Sequence, residues 1–157
     1  MPTRLPLSSR PVKRWLYCMR HLHYDNDTEL ALIPKLCSAR LMSVDIGANT
    51  GVHTLVMHQY SRAVIAFEPN PKLIPDLEDL FGGSTVRVEA VALGAVNERA
   101  PLTVPTFGGN EIHGWARLKD DLTNREWRGQ AYTGAEQFDV PVRRLDDYAL
   151  RGVGFIK

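Results

Sequence analysis

Cysteine is scarce in this chain: Cys18 and Cys37 are the 2 thiols among 157 residues. Their number and placement suit neither a disulfide framework nor a zinc site, so both are expected as reduced, buried or half-buried thiols. Long apolar runs are missing too, since none approaches the roughly 20 residues of a membrane helix. The N-terminus lacks the apolar core of a secretory signal and offers only Trp15 to Met19 in its place. An acid-poor, Arg-containing start has a faint likeness to an organelle transit peptide, but the default expectation is a cytoplasmic protein. Net charge is nearly absent at +1, which gives no electrostatic reason to expect nucleic acid or an acidic partner. The balance is uneven, however: before Asp25 stand Arg4, Arg10, Lys13, Arg14 and Arg20, with no acidic residue among them. Repeats and low-complexity segments are lacking as well.

What is present is the composition of an ordinary globular domain, 44% hydrophobic and 24% charged. The length is that of about one domain with a real core. After a flexible lead-in, Val12, Trp15, Leu16, Met19 and Leu22 recur at helical spacing with Lys13, Arg14 and Arg20 opposite. This basic amphipathic helix suits packing on its own domain, ahead of a partner or a membrane surface. Asn26 and Glu29 stand at capping-box spacing before a short helix over 28–37, which Pro34 shortens or kinks. Leu41, Met42, Val44 and Ile46 form a strand apolar on both faces, as a central parallel strand is. Val52, Leu55 and Val56 share one face of the following helix. A second buried strand spans 63–69; Asn70 is expected to cap a helix with Pro71 in its first turn and Gly82-Gly83 at its end. A third strand is read over 85–94. Strand, helix, strand, helix, strand at this pitch is half of a doubly wound α/β sheet. Beyond it, "APLTVPTF" and "FDVPVRRL" are proline-bearing strands suited to edges. The polar stretch from Gly108 to Gly134 is either a substrate-facing excursion or a mobile loop. "LDDYAL" is read as one turn of helix, and "VGFIK" as another strand.

In an open parallel sheet the ligand sits beyond the carboxyl ends of the strands, beside the first strand. "SVDIGANTG" (43–51) falls there. Gly47 allows a positive φ and a close backbone approach, Asn49 suits a left-handed position, and Gly51 opens a helix whose free N–H groups favour an anionic group. The dinucleotide pattern G-x-G-x-x-G is absent, because Gly47 is followed by Ala48, Asn49 and Thr50. What stands instead, D-x-G-x-N-x-G, has the spacing of the acidic-x-Gly-x-Gly-x-Gly loop of class I S-adenosylmethionine methyltransferases. Asp45 would repel a pyrophosphate but complements the ammonium of a methionine moiety. Glu68, ending the second strand about twenty residues after Gly47, is placed to accept hydrogen bonds from both ribose hydroxyls, or else to cap the next helix.

With these residues in view, the chain resembles the FkbM-type methyltransferase family through "VDIGANTG" (44–51), "VIAFEPNP" (64–71), "VEAVALG" (88–94) and "VRRLDDYALRGVGFIK" (142–157). The resemblance runs from about Asn26 to Lys157. It implies a Rossmann-like class I methyltransferase sheet, S-adenosylmethionine as donor, and O-methylation of a hydroxyl on a sugar or natural product. Asp45, Gly47, Ala48, Asn49, Gly51 and Glu68 take the cofactor roles, with Val91 and Ala92 along the adenine. Two parts follow: a basic extension over 1–25 and a cofactor-binding part over 26–157. In the family the last strand continues into a D-x-E-G segment and further core strands, so the sheet here is expected to be incomplete at the C-terminus, with its last strand an exposed edge for a second chain or an oligomer. Expected partners are a small-molecule or carbohydrate acceptor, without nucleic acid and without a transmembrane segment. A non-catalytic module that keeps the cofactor site is the alternative, and a nicotinamide dehydrogenase is disfavoured by Asp45 and the missing glycines.

Methyl transfer needs positioning and a base for the acceptor's proton. His113, in the Gly-flanked "GGNEIHGW", is the best base candidate among the residues present, against a plain surface histidine. Trp115 suits core packing ahead of stacking on a sugar. No metal site is expected, since His21, His23 and Asp25 would be split over different faces of a helix. His53 and His58 lie on the polar side of the first core helix, and Asp146 and Asp147 are read as caps of the short helix after them.

Overall fold

A computed structural model of the chain describes residues 28–118, 126–127 and 130–157. The basic helix over 12–22, Cys18, the His21–His23–Asp25 group and the Asn26 cap lie outside the described residues, as does most of 119–131. Helix α1 (Thr28–Leu36) leads into strand β1 (Met42–Ile46), helix α2 (Val52–Tyr60), strand β2 (Ala63–Phe67), helix α3 (Ile74–Phe81) and strand β3 (Val86–Glu89). After a second sheet the chain returns as β11 (Val153–Ile156). The first sheet has the order β11-β1-β2-β3, with every pairing parallel. The chain therefore steps outward from β1 and then crosses to its other side, which puts a topological switch point at the carboxyl end of β1. This is the mixed α/β, Rossmann-like arrangement expected from the alternation of strands and helices.

Strand parity divides the core. Ser43, Asp45, Val64 and Ala66 fall on one face, because Ser43 pairs with Val64 and Asp45 with Ala66. That face is covered by the helices: Leu30 and Ile33 of α1 and Val56 and Met57 of α2 pack around Val64, while Leu55, Leu77 and Phe81 pack with Ala66. Val44, Ile65 and Phe67 face the other way, against Leu145, Tyr148 and Leu150 of a 3-10 turn (Leu145–Tyr148) and its exit. β2 is apolar on both faces and has two different covers, whereas β1, read as apolar on both, turns Ser43 and Asp45 toward the helices because Met42, Val44 and Ile46 share one parity.

The second half differs from its sequence reading in three places. The stretch read as one strand over 85–94 breaks at Ala90: β3 pairs with β2, while β4 (Ala92–Leu93) pairs with β10 (Gly134–Arg143) of the second sheet. The Val91 N–H turns back to the Glu89 carbonyl at 2.9 Å, which ends the first ladder. The proline-bearing segments are not edges. β5 (Glu98–Phe107) and β10 pair antiparallel from Glu98↔Val142 to Thr106↔Gly134, in a sheet ordered β4-β10-β5-β6. On its other side β5 meets β6 (Asn110–Glu111) and β7 (Arg117–Leu118) only at Thr106–Phe107 and Leu102–Thr103, so Pro105 falls between those short ladders and Pro101 just before them. A further small ladder joins β8 (Glu126–Trp127) to β9 (Gln130–Ala131). Finally, α3 begins at Ile74 and not after Asn70; the Asn70 Oδ1 accepts the Lys72 N–H at 3.0 Å in a turn ahead of the helix. Asp146 and Asp147 do not cap the 3-10 turn: Asp147 accepts from Asn97 and Asp146 pairs with Arg144. Among the described residues, no helix is long and apolar enough to cross a membrane.

Gly51 couples the loop after β1 to this core. Its φ is +86°, and a Cβ there would meet Leu77 Cδ2 at 2.9 Å and Phe81 Cε2 at 3.1 Å. Gly51→Ala therefore meets a backbone penalty and an overpacked α2–α3 interface together. The expected loss of unfolding free energy is about 2–4 kcal/mol in urea denaturation, against less than about 1 kcal/mol if the helices simply part.

Candidate functional site: a cradle at the carboxyl ends of β1 and β2

The loop after β1 alternates left-handed residues: Gly47 at φ +77°, Asn49 at +50° and Gly51 at +86°. An Asn in the middle place fits, because its side chain tolerates the left-handed region better than other non-glycine residues. The Phe67 carbonyl accepts the N–H of both Gly47 (2.9 Å) and Ala48 (3.0 Å), which pins the loop to the end of β2. A Cβ on Gly47 would meet nothing within 4 Å, so this glycine faces open space. Gly51, by contrast, serves packing; its missing Cβ admits α3 and not a ligand.

Glu68 joins the two loops. Its Oε2 accepts the Asn49 N–H at 2.7 Å and its Oε1 the Asn70 N–H at 2.8 Å, with the residue 5% exposed. It is not a helix cap, since α3 starts six residues later. Burial pushes its pKa above the usual carboxylate value; the N–H groups of Asn70 and Asn49 pull it back, the Asp45 charge raises it and His113 lowers it. Asn70, itself closed to solvent, donates through Nδ2 to His113 Nδ1 at 3.1 Å. Because the Asn70 Oδ1 already holds the Lys72 N–H, the amide orientation is fixed. An amide NH2 only donates, so His113 Nδ1 accepts, and the neutral ring carries its proton on Nε2. His113 then presents a donor at Nε2, which is the wrong form for a base at that atom. The Glu111 carboxylate, 3.6 Å from Nδ1, is beyond hydrogen-bond reach. Lys72 ties the loop after β2 to the His113 segment again by pairing with Glu111 of β6, and to β10 by pairing with Glu136.

These residues line a cavity of about 470 Å³: Gly47, Ala48, Asn49 and Glu68 from the loops, His53 from α2, His113, Gly114 and Ala116 around a 3-10 turn (His113–Trp115), and Lys157. Up to Leu118, the stretch read over 108–134 folds as β6, the 3-10 turn and β7, a flap that puts His113, Gly114 and Ala116 on the cavity wall. Val91 and Ala92 line a second, apolar cavity of about 210 Å³ with Ile46, Phe67 and Leu102, which shares Gly47, Pro69 and Ala116 with the first. Asp45 and Gly51 are not on either wall. Asp45 is closed to solvent; its Oδ2 accepts the Thr54 hydroxyl at 2.6 Å, and its Oδ1 lies 3.3 Å from Lys157 Nζ. Trp115 is not a core residue: it is 40% exposed, with its ring edge-on to Tyr132. His58 bonds Thr85, away from the cavity.

Sequence reasoning missed Thr54, Asn70, Lys72 and Lys157. Of these, Lys157 was the accessible one, since a parallel strand returning beside β1 brings its end next to Asp45.

Glu68 makes stability depend on pH. Its folded pKa lies above the ordinary 4.5, so the stability tied to its protonated form is complete below about 4.5 and is lost as pH rises through the folded value. Wild type is expected to lose unfolding free energy relative to Glu68→Gln as pH climbs from about 4 and to level off once Glu68 is fully ionised. Urea melts of both proteins over that range check this, and a pH-independent difference would contradict it.

No family model and no curated protein matches the chain. Solved structures similar to part of it include a 23S rRNA methyltransferase, ErmE (20% identity, 41% of this chain and 28% of that one, TM-score 0.37). An rRNA methylase from Streptococcus thermophilus matches at 13% identity over 41% of each chain, with a TM-score of 0.37. A dimethyladenosine transferase from Plasmodium falciparum matches at 15% identity over 52% of this chain and 41% of that one, with a TM-score of 0.35. The chain spans less than half the length of these structures. Two of these proteins are named for rRNA, so the expectation of no nucleic-acid partner is withdrawn: it rested on the near-zero net charge, and a whole-chain sum says nothing about the charge of one face.

Proposed function

We propose that this chain binds S-adenosylmethionine in the cradle and is the donor-binding part of a class I methyltransferase, of the FkbM type by the four segments quoted above. The observation that carries the reading is a set of unused acceptors on the cavity wall. Asn49 Oδ1 is buried without a hydrogen-bond donor, and each Glu68 oxygen has accepted a single N–H, leaving a lone pair for a hydroxyl. Two acceptors beside an open glycine match a ribose edge, and the apolar slot at Val91 and Ala92 matches a purine face. A pyrophosphate, which brings only acceptors, would meet Glu68 as a repelling charge.

Bound there, S-adenosylmethionine supplies a sulfonium methyl for in-line displacement. The chain's own part is to bind and orient: Glu68 and Asn49 fix the ribose, Gly47 and Ala48 let it approach the backbone, and the flap around His113 excludes water.

Calorimetric titration with S-adenosylmethionine and S-adenosylhomocysteine tests the reading. Saturable binding of both is expected, weakened at least about tenfold in Glu68→Ala through loss of charge-assisted hydrogen bonds. No heat with either ligand sinks the cofactor assignment. Equal binding by the variant sinks the role of Glu68 alone.

A further inference from the structure

The ion pair of Asp45 and Lys157 stands apart from the acceptors just described. A buried carboxylate is costly unless it is paired and hydrogen-bonded. Asp45 meets part of that cost with the Thr54 hydroxyl on Oδ2; Oδ1 accepts no hydrogen bond and has the Lys157 ammonium 3.3 Å away as its ion-pair partner. The pair is asymmetric. Asp45 is 0% exposed and absent from the cavity wall, while the Lys157 side chain is 30% exposed and forms part of that wall. Lys157 Nζ also lies 3.5 Å from the Gly47 carbonyl, at the glycine that faces open space. An ammonium has three N–H donors, and Asp45 and Gly47 engage it only from the loop side. The cavity is therefore polarised, with the Glu68 anion at the end of β2 and a held cation at the ends of β1 and β11.

We infer that Lys157 reads an anionic group of the ligand, the α-carboxylate of the cofactor's amino-acid portion. Asp45 is a positioning residue that holds the Lys157 ammonium and does not touch the ligand. This rests on the S-adenosylmethionine reading and changes one part of it. The loop's carboxylate does not receive the ligand's ammonium; it acts from behind the wall, by fixing a cation of the opposite preference.

The test uses the full chain and three adenosine thioethers. These are S-adenosylhomocysteine, its decarboxylated analogue ending in a plain amine, and 5′-methylthioadenosine, which lacks the amino-acid portion. In wild type, S-adenosylhomocysteine is expected to bind about 10–100-fold tighter than the decarboxylated analogue, the range of a charge-assisted hydrogen bond. That comparison needs no variant. Lys157→Met should abolish the gap, Lys157→Arg should keep it, and Asp45→Asn should narrow it. Equal binding of the two ligands by wild type overturns the inference, as does equal weakening of both by Lys157→Met. Tighter S-adenosylhomocysteine binding by Lys157→Met also overturns it, because Lys157 would then be competing with the ligand's ammonium for Asp45. Binding of 5′-methylthioadenosine without a carboxylate gap removes only the role of Lys157; failure of all three ligands removes the cofactor reading with it.

Discussion

Both walls of the cavity depend on one carboxylate, since Glu68 accepts the Asn49 N–H on one oxygen and the Asn70 N–H on the other. Asn49 belongs to the loop after β1, and Asn70 to the loop after β2. Without the carboxylate two backbone donors would be left in a region where Asn70 is closed to solvent, and unmet buried donors are costly. A glutamine could satisfy only one of them with its single oxygen. The group that binds the loops is also the one with lone pairs left over, so assembly of the fold and preparation of the site are the same event. The flap follows from it: Asn70, held by Glu68, holds His113, and Lys72 two residues on holds Glu111.

The charge pattern follows from strand parity. Side chains alternate along β1, and Val44 must face the Leu145–Leu150 cover, so Asp45 is forced onto the helix face next to Ala66. An acidic residue there would be stranded but for two neighbours. Thr54, in the first turn of α2, donates its hydroxyl to it; Lys157 reaches it because β11 pairs parallel with β1, the Lys157 N–H donating to the Val44 carbonyl and its carbonyl accepting from Ile46. Each neighbour is supplied by a feature of topology, not by local sequence.

That distinction explains what could be read from the sequence. The loop after β1 was legible because its demands are local: a left-handed residue at every second position selects Gly, Asn and Gly, and no tertiary contact is needed to see it. Strand β2 was legible because both faces are apolar, and β1 because Met42, Val44 and Ile46 are, although its other face carries Ser43 and Asp45. The break at Ala90 was not, since "TVRVEAVALG" keeps its apolar alternation while the chain leaves one sheet for another. Pro101, Pro105 and Pro141 pointed to edges on general grounds, yet a strand of ten residues can pair along one side throughout and along the other only in short pieces. Asn70 was assigned the right kind of work at the wrong place. Its side chain does accept a nearby N–H, but in a turn, while the helix waits for Ile74.

Net charge is a poor guide to partners for a related reason. The carboxyl ends of the strands gather Glu68, Asp45 and Lys157, while the loops that lead into β1, β2 and β11 expose Arg40, Arg62 and Arg151 at the opposite edge. Those loops are adjacent: the Arg62 N–H donates to the Leu41 carbonyl, the Met42 N–H to the Gly152 carbonyl, and Arg62 Nη2 comes within 3.7 Å of where a Gly152 Cβ would be. Parallel strands force this, because consecutive strand entries all lie at one edge of the sheet and consecutive exits at the other. A face can then be strongly charged in a protein whose sum is +1, and screening over about 8–10 Å makes a macromolecular partner respond to that face and not to the sum.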